Sequence, residues 1–220
     1  MAELRDYLAR IYSLSDLQAK PDDYVSTSAL ADAMGVTAPA VNRMVTKLKE
    51  NGYLHHEPYQ GIKLTDAGRR EALGKLRYQR IAAAFLVTVM GFGWHEIEEE
   101  SSRMSGALSE LIAGRMLAMA GNPTRDPFGE PIPAVDRTVP PADDTALASA
   151  EDGQQAIITR IKTRESDRLE YLAALGLWPD ASITIIHKAP FNGPMQLKLA
   201  EEYRIIGHNL AELICVRPLT

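Results

Sequence analysis

Residues 26–66 read STSALADAMGVTAPAVNRMVTKLKENGYLHHEPYQGIKLTD, and this stretch decides the fold of the N-terminal third. Ser26, Thr27 or Ser28 can cap a helix over about Ser28 to Met34, which places Leu30, Ala31 and Met34 on one side. Gly35 then offers a tight turn, since glycine adopts a positive φ at little cost. A further helix starts near Thr37, a capping residue type, and tolerates Pro39 in its first turn. It runs through Val41, Met44, Val45 and Leu48 to the stop signal Asn51-Gly52. Two short helices around a glycine turn, the second exposing Thr37, Ala38, Asn42, Arg43 and Thr46, form a helix-turn-helix. Tyr53 to Glu57 and Ile62 to Thr65, around Pro58-Tyr59-Gln60-Gly61, read as a hairpin, the wing of a winged helix.

Upstream, Leu4, Leu8, Ile11, Tyr12 and Leu14 recur at helical spacing over Leu4 to Leu17, and Lys20-Pro21-Asp22-Asp23 breaks that helix. Downstream, a long helix is predicted from Asp66 to about Val89, ended by Gly91-Phe92-Gly93, and a second from His95 to Met119. Their apolar surface suggests dimerisation through a helix pair. Residues 134–155 hold paired prolines, aspartates and small residues, and read as a linker. From Ala156 the period changes. Ile157 to Ile161, Ser182 to His187, Gln196 to Leu199, Tyr203 to Ile206 and Leu213 to Val216 read as strands, with a short helix from Asp167 to Leu175. Several short strands with Pro/Gly turns predict a small β-barrel. The expected class is α+β, with a winged helix-turn-helix at 1–70, a helical dimerisation and metal-site domain at 71–133, a linker at 134–155 and a barrel at 156–220.

The charge of the chain is unevenly spread. From Val36 to Arg80 there are nine Lys/Arg and four acids, a balance of +5, although the whole chain carries −5. From Gly93 to Gln155 twelve acids face four arginines, a balance of −8. Phosphate binding follows the local field rather than the total, so a basic reading head on an acidic body suits a DNA-binding protein. One cysteine, Cys215, excludes an internal disulfide and a cysteine-based zinc cluster, and reads as a small core residue in a strand. No apolar run reaches membrane-spanning length, and the charged opening Met1-Ala2-Glu3-Leu4-Arg5-Asp6 does not read as a signal peptide. A cytoplasmic location is expected. No Ser/His/Asp grouping, phosphate-binding glycine loop or pair of catalytic carboxylates stands out, so an enzyme is not expected.

The sequence resembles the diphtheria toxin repressor family of iron- and manganese-responsive repressors. The resemblance rests on Leu8-Ala9-Arg10-Ile11-Tyr12, on the reading helix from Gly35 to Leu48, and on the wing ending Leu64-Thr65-Asp66-Ala67-Gly68. Its most specific element is Asp126-Pro127-Phe128-Gly129-Glu130-Pro131-Ile132-Pro133, similar to that family's Pro-Phe/His-Gly-x-Pro-Ile-Pro loop. The C-terminal part resembles the SH3-like domain shared with ferrous-transport accessory (FeoA-like) proteins. The resemblance implies a homodimer on a palindromic operator, with a divalent metal (Mn or Fe) as corepressor and no membrane partner.

Helix position and resemblance together give the reading helix its roles. Arg43 suits a bidentate pair with guanine and Asn42 one with adenine. Lys47, Lys63 and the Thr37 hydroxyl suit phosphates, while Pro39 and Ala40 suit thymine methyls. The family's metal-ligand positions match poorly. Asp6 stands at the first-helix position, but the Cys/Glu-x-x-Glu-His run falls on Ser102-Arg103-Met104-Ser105-Gly106. The second site falls on Gln79, Ala83 and Glu98, with Glu165 and Arg168 from the SH3-like domain. Serine hydroxyls are poor ligands for Fe²⁺ or Mn²⁺, and glycine offers none. A rebuilt site would draw on His95, Glu98 and Glu99 at helical spacing, completed by Asp6 or Glu165; the competing reading is a solvated acidic helix start. His55, His56, His187 and His208 read as surface or core histidines. A rival of another class is a protein-interaction module acting through the SH3-like domain in metal transport.

Overall fold

The opening helix α1 (Ala2–Asp16) buries Tyr7, Leu8 and Ile11. The structure, a computed structural model, describes residues 2–16 and 24–219; the expected break at Lys20 to Asp23 lies outside the described residues. Two units result. One comprises Met1–Gln79 with Ser105–Leu108 and Pro133–Val139, the other Arg80–Met104, Ser109–Ile132 and Pro140–Thr220.

In the first unit, Ser26 is the cap of α2 (Thr27–Met34), its hydroxyl accepting from the Ala29 amide at 3.1 Å. Gly35 closes that helix in the left-handed conformation, φ 64°. Helix α3 (Ala38–Glu50) buries Val41, Val45 and Leu48, one turn apart on a single face. Thr37 holds the N-cap position of α3, but its side chain makes no capping hydrogen bond. Strands β1 (Leu54–Glu57) and β2 (Gly61–Leu64) form the antiparallel wing, and Val25 exchanges both backbone hydrogen bonds with Ile62 at 2.8 and 2.9 Å. Leu8, Ile11, Leu30, Val41, Val45, Leu48, Leu54 and Ile62 make one core. Thr65 donates from its hydroxyl to the Gly52 carbonyl and accepts from the Gly68 amide, which starts α4 (Asp66–Thr88).

The second unit takes in α4 from Arg80 onward. The single helix expected from His95 to Met119 is two: α5 (Ile97–Ser105) and α6 (Glu110–Met119). The break follows from Ser109, whose hydroxyl caps α6 by accepting from the Ile112 amide, a competition with the helix that serine wins at N-caps. His95 stands in the turn before α5, not within it, so it does not share a helical face with Glu98 and Glu99 as the spacing had suggested.

The C-terminal sheet is antiparallel throughout, in the order β3-β8-β4-β5-β6-β7. Its strands are β3 (Thr145–Ala146), β4 (Gln155–Ile161), β5 (Ser182–Lys188), β6 (Met195–Leu199), β7 (Glu202–Ile206) and β8 (Ile214–Pro218). Helices α7 (Ser166–Ala174) and α8 (His208–Ala211) complete it. The C-terminal half of the expected linker belongs to this sheet. Thr145 and Ala146 pair with Val216 and Cys215, and Leu147 is wholly buried. Its apolar residues are too few and too short for a sequence pattern; their burial is created by a strand seventy residues further on.

The 125–131 loop plugs this unit. Phe128 is 1% exposed, stacks on Trp94 at 6.1 Å and joins a core with Leu86, Ile97, Ile158 and Ile161. Its carbonyl accepts from the Ile161 amide at 2.9 Å. Gly129 passes so close to β4 that an added Cβ would lie 1.9 Å from the Thr159 carbonyl oxygen, and its φ is +84°. Gly129→Ala is therefore expected to destabilise this unit by on the order of 3 kcal/mol or more, read as a lowered melting temperature of the full chain.

Candidate nucleic-acid interface and buried ion network

Thr37, Pro39, Asn42, Arg43 and Lys47 are exposed, Ala40 is half-buried, and Lys63 is half-buried on β2 of the wing. Among the described residues, Arg43, Lys47 and Lys63 enter no ion pair. Thr46 is exposed as well, with its hydroxyl donating to the Asn42 carbonyl. Tyr59 at the wing tip is fully exposed with φ 66°, an aromatic in a left-handed turn that pattern reading passed over. A groove of about 460 Å³ runs beside α3, lined by Asp6, Tyr7, Met34, Arg43 and Lys47.

A second cluster is built inside the other unit from residues that sequence reading missed. Thr159 sits at a β-bulge between β4 and β8, so it and Arg160, which should face opposite ways, both reach Asp144. Arg160 grips that carboxylate with two parallel bonds of 2.8 Å, from Nε and Nη2. Its Nη1 lies 3.5 Å from Glu130, which Arg80 approaches from α4 at 3.4 Å while donating to the Pro131 carbonyl at 2.7 Å. Arg164 lies 3.9 Å above the Phe128 ring, with its Nε 3.6 Å from Glu98. Arg80, Arg160, Asp126 and Glu130 are all buried. One signal was legible: an arginine inside the apolar run Ile157 to Ile161 needs an internal counter-charge.

The electrostatics follow from this arrangement. Burial opposes ionisation of Glu130, but Arg80, Arg160 and Arg164 outweigh it and hold the carboxyl below its ordinary range. Burial likewise works against Asp144, and the hydrogen bonds from Arg160 and Thr159 reverse the effect. Asp126 goes the other way: burial pushes its carboxyl up to about 6 despite Arg164 and Arg80, while its Oδ1 accepts from the Phe128 and Glu130 amides at 2.9 Å. Burial also pushes the Cys215 thiol up to about 11, which leaves it an unreactive core residue.

Three family models match the chain in succession. They describe the iron dependent repressor N-terminal DNA binding domain (residues 1–62), the iron dependent repressor metal binding and dimerisation domain (65–134) and the FeoA domain (145–218). A solved manganese-dependent transcriptional repressor in complex with manganese is 32% identical, with a TM-score of 0.89 and coverage of 98% of this chain and 100% of that one. The chain belongs to the iron-dependent repressor family. The iron-dependent repressor IdeR of Mycobacterium tuberculosis is 28% identical over 222 residues, covering 96% of this chain and 94% of that protein. An uncharacterized HTH-type transcriptional regulator of Methanocaldococcus jannaschii is 34% identical over 113 residues, covering 51% of this chain and 88% of that one.

This repressor-family chain departs from a metal-binding domain in its donors. Ser101 and Ser105 on α5 are buried hydroxyls, and Ser101 Oγ donates to the Glu98 carbonyl. Asp6 is paired with Lys75 at 2.8 Å, Glu98 with Arg164, Glu99 with Arg103 at 3.7 Å, and Glu165 with Arg168 at 2.9 Å. Among the described residues, no three His, Cys, Asp or Glu side chains gather in a group that could hold a metal ion. Asp6 in the first unit is taken by Lys75; in the second unit His95, Glu98, Glu99 and Glu165 form no such group, so these described residues do not fit a divalent ion.

The pH dependence of stability separates the buried acids. The folded state holds the Asp126 proton more tightly than the unfolded chain does, so this residue's contribution falls as pH rises from its ordinary value towards 6 and is fully unfavourable above that. Glu130 and Asp144 contribute stability that is present above their ordinary values and lost as pH falls. Asp126→Asn, which keeps the accepting oxygen, is expected to stabilise the fold at about pH 8 by roughly 1–3 kcal/mol, read as a higher melting temperature. That gain shrinks as pH is lowered towards about 5 in thermal melts of both proteins.

Proposed function

We propose that the chain is a homodimeric transcriptional repressor that reads an operator with α3 and grips it with the wing, governing metal-homeostasis genes. The observation that carries this reading is the row of exposed donors on α3, with Arg43 and Lys47 in no ion pair among the described residues, while the buried arginines of the second unit are taken by carboxylates. Arg43 and Asn42 read base edges, Lys47, Lys63 and Thr37 hold phosphates, and Pro39 and Ala40 touch thymine methyls. Dimerisation sets two such heads on half-sites about one DNA turn apart, roughly 34 Å, on a palindrome. The surface for it is on α6, where Leu111, Ile112 and Met119 are exposed at 73%, 48% and 64%, more apolar area than a solvated helix face carries. No helix among the described residues is long and apolar enough to cross a membrane. A repressor acting on DNA works in the cytoplasm, and nothing in this reading calls for catalysis. The rival reading as a protein-interaction module is disfavoured by the match to a DNA-binding domain over residues 1–62.

Fluorescence anisotropy against a duplex of the chain's own promoter region tests the reading. Arg43→Ala is expected to weaken specific binding by roughly 1–3 kcal/mol and relax preference at one position. Lys47→Ala is expected to weaken all duplexes alike and reduce the salt slope by about one phosphate contact. Equal binding to unrelated duplexes by the parent would overturn it. Separately, Leu111→Asp with Met119→Asp is expected to yield a folded monomer by sedimentation and to weaken operator binding at least tenfold, about 1.4 kcal/mol.

A further inference from the structure

Each carboxylate offered by the sequence as a metal ligand already has a cation, and that cation is covalently part of the chain. Lys75 serves Asp6, Arg103 serves Glu99 and Glu100, and Arg168 serves Glu165. Within the second unit the same substitution is carried into the interior. Buried carboxylates require a counter-charge close by, which either a bound ion or a basic side chain can supply. Arg80 and Arg160 supply it to Glu130 and Arg160 to Asp144, while Arg164 faces the half-buried Glu98.

These three arginines tie the elements of the unit together. Arg80 stands on α4 and reaches the 125–131 loop through Pro131 and Glu130. Arg160 stands on β4 and reaches the same Glu130 as well as Asp144. Arg164 donates to the carbonyls of Ile161 and Thr163 at 2.6 and 2.8 Å, covers the Phe128 ring and faces Glu98 of α5. The C-terminal sheet is thereby joined to α4, α5 and the loop by guanidinium groups as well as by the apolar core around Phe128. A divalent ion entering here would have to displace an arginine from its carboxylate, and the serines of α5 would offer it only neutral hydroxyls.

We propose that this chain has exchanged the divalent corepressor for its own guanidinium groups, so that Arg80, Arg160 and Arg164 hold the C-terminal sheet docked and operator binding needs no divalent metal. The proposal rests on the DNA-reading function argued above for its operator arm, and on the fold of the second unit for the rest.

The test uses the full-length chain, stripped with EDTA and then given Mn²⁺, anaerobic Fe²⁺, Co²⁺ or Zn²⁺. Operator affinity in chelator and in metal is expected to agree within about twofold, the melting temperature to be unchanged by metal, and elemental analysis after dialysis to find no stoichiometric metal. A tightening of tenfold or more with metal, about 1.4 kcal/mol, or one bound ion per chain, overturns the proposal while leaving the DNA reading intact. Absence of specific operator binding in every condition would sink the DNA reading instead, and the melting and elemental arms still judge the proposal. Arg164→Gln is expected to expose the C-terminal sheet to limited proteolysis, with no rescue by added Mn²⁺; Arg164→Lys, which keeps the charge, should restore part of the protection. Protection of the Arg164→Gln variant equal to the parent's would overturn the docking role of this arginine.

Discussion

Glu130, 7% exposed, lies between two guanidiniums that arrive from different parts of the chain, Arg80 from a helix and Arg160 from a bulged strand. A carboxylate in that position is tolerated only while both remain, since removal of a partner from a buried pair leaves a bare charge in a poor solvent for it. The Pro-Phe-Gly loop, the bulge at Thr159 and the capture of Asp144 all serve this one requirement. The loop brings Glu130 in with Phe128 as its apolar anchor, the bulge turns Arg160 towards it, and Asp144 occupies the rest of the guanidinium fork.

The basic residues of the chain divide by what they face. Those of the second unit's interior are committed to carboxylates, and so are Arg5 and Lys75, which pair with Glu71 of α4 and Asp6 of α1. Arg43, Lys47 and Lys63 have no such commitment. This is how a chain with a net charge of −5 presents a face suited to a polyanion. Pairing removes acids and bases in equal number and leaves that total unchanged; the acidic excess lies in other stretches of the sequence, such as 93–155, while 36–80 carry a basic balance.

The helix-turn-helix was legible because its signals are local. Ser26 caps α2, Gly35 takes the left-handed turn, and Val41, Val45 and Leu48 mark one face of α3, all within a span of under thirty residues. The family resemblance was likewise carried by short runs, above all the 126–133 loop. The break between α5 and α6 was not legible, because Ser109 reads equally well as a helix residue and as a cap. The linker reading of 134–155 held only as composition; Asp144, Thr145 and Leu147 acquire partners from strands that pattern analysis cannot pair. His95, Glu98 and Glu99 share a helical spacing only in a helix that starts at His95, whereas α5 begins at Ile97.

The sequence by itself determined the order of elements, the helix-turn-helix with Asn42, Arg43 and Lys47 on the exposed face of its second helix, and the poverty of the usual metal positions. These are properties of spacing and residue type, and local backbone preferences enforce them. Only the tertiary structure decided which charges meet. Arg80, Glu130 and Arg160 are separated by up to eighty residues in the chain, and Thr159 and Arg160 share a carboxylate because of a bulge that no alternation pattern reports. Charge pairing depends on distances of a few ångströms between side chains that packing brings together, and that information exists only after the core has formed.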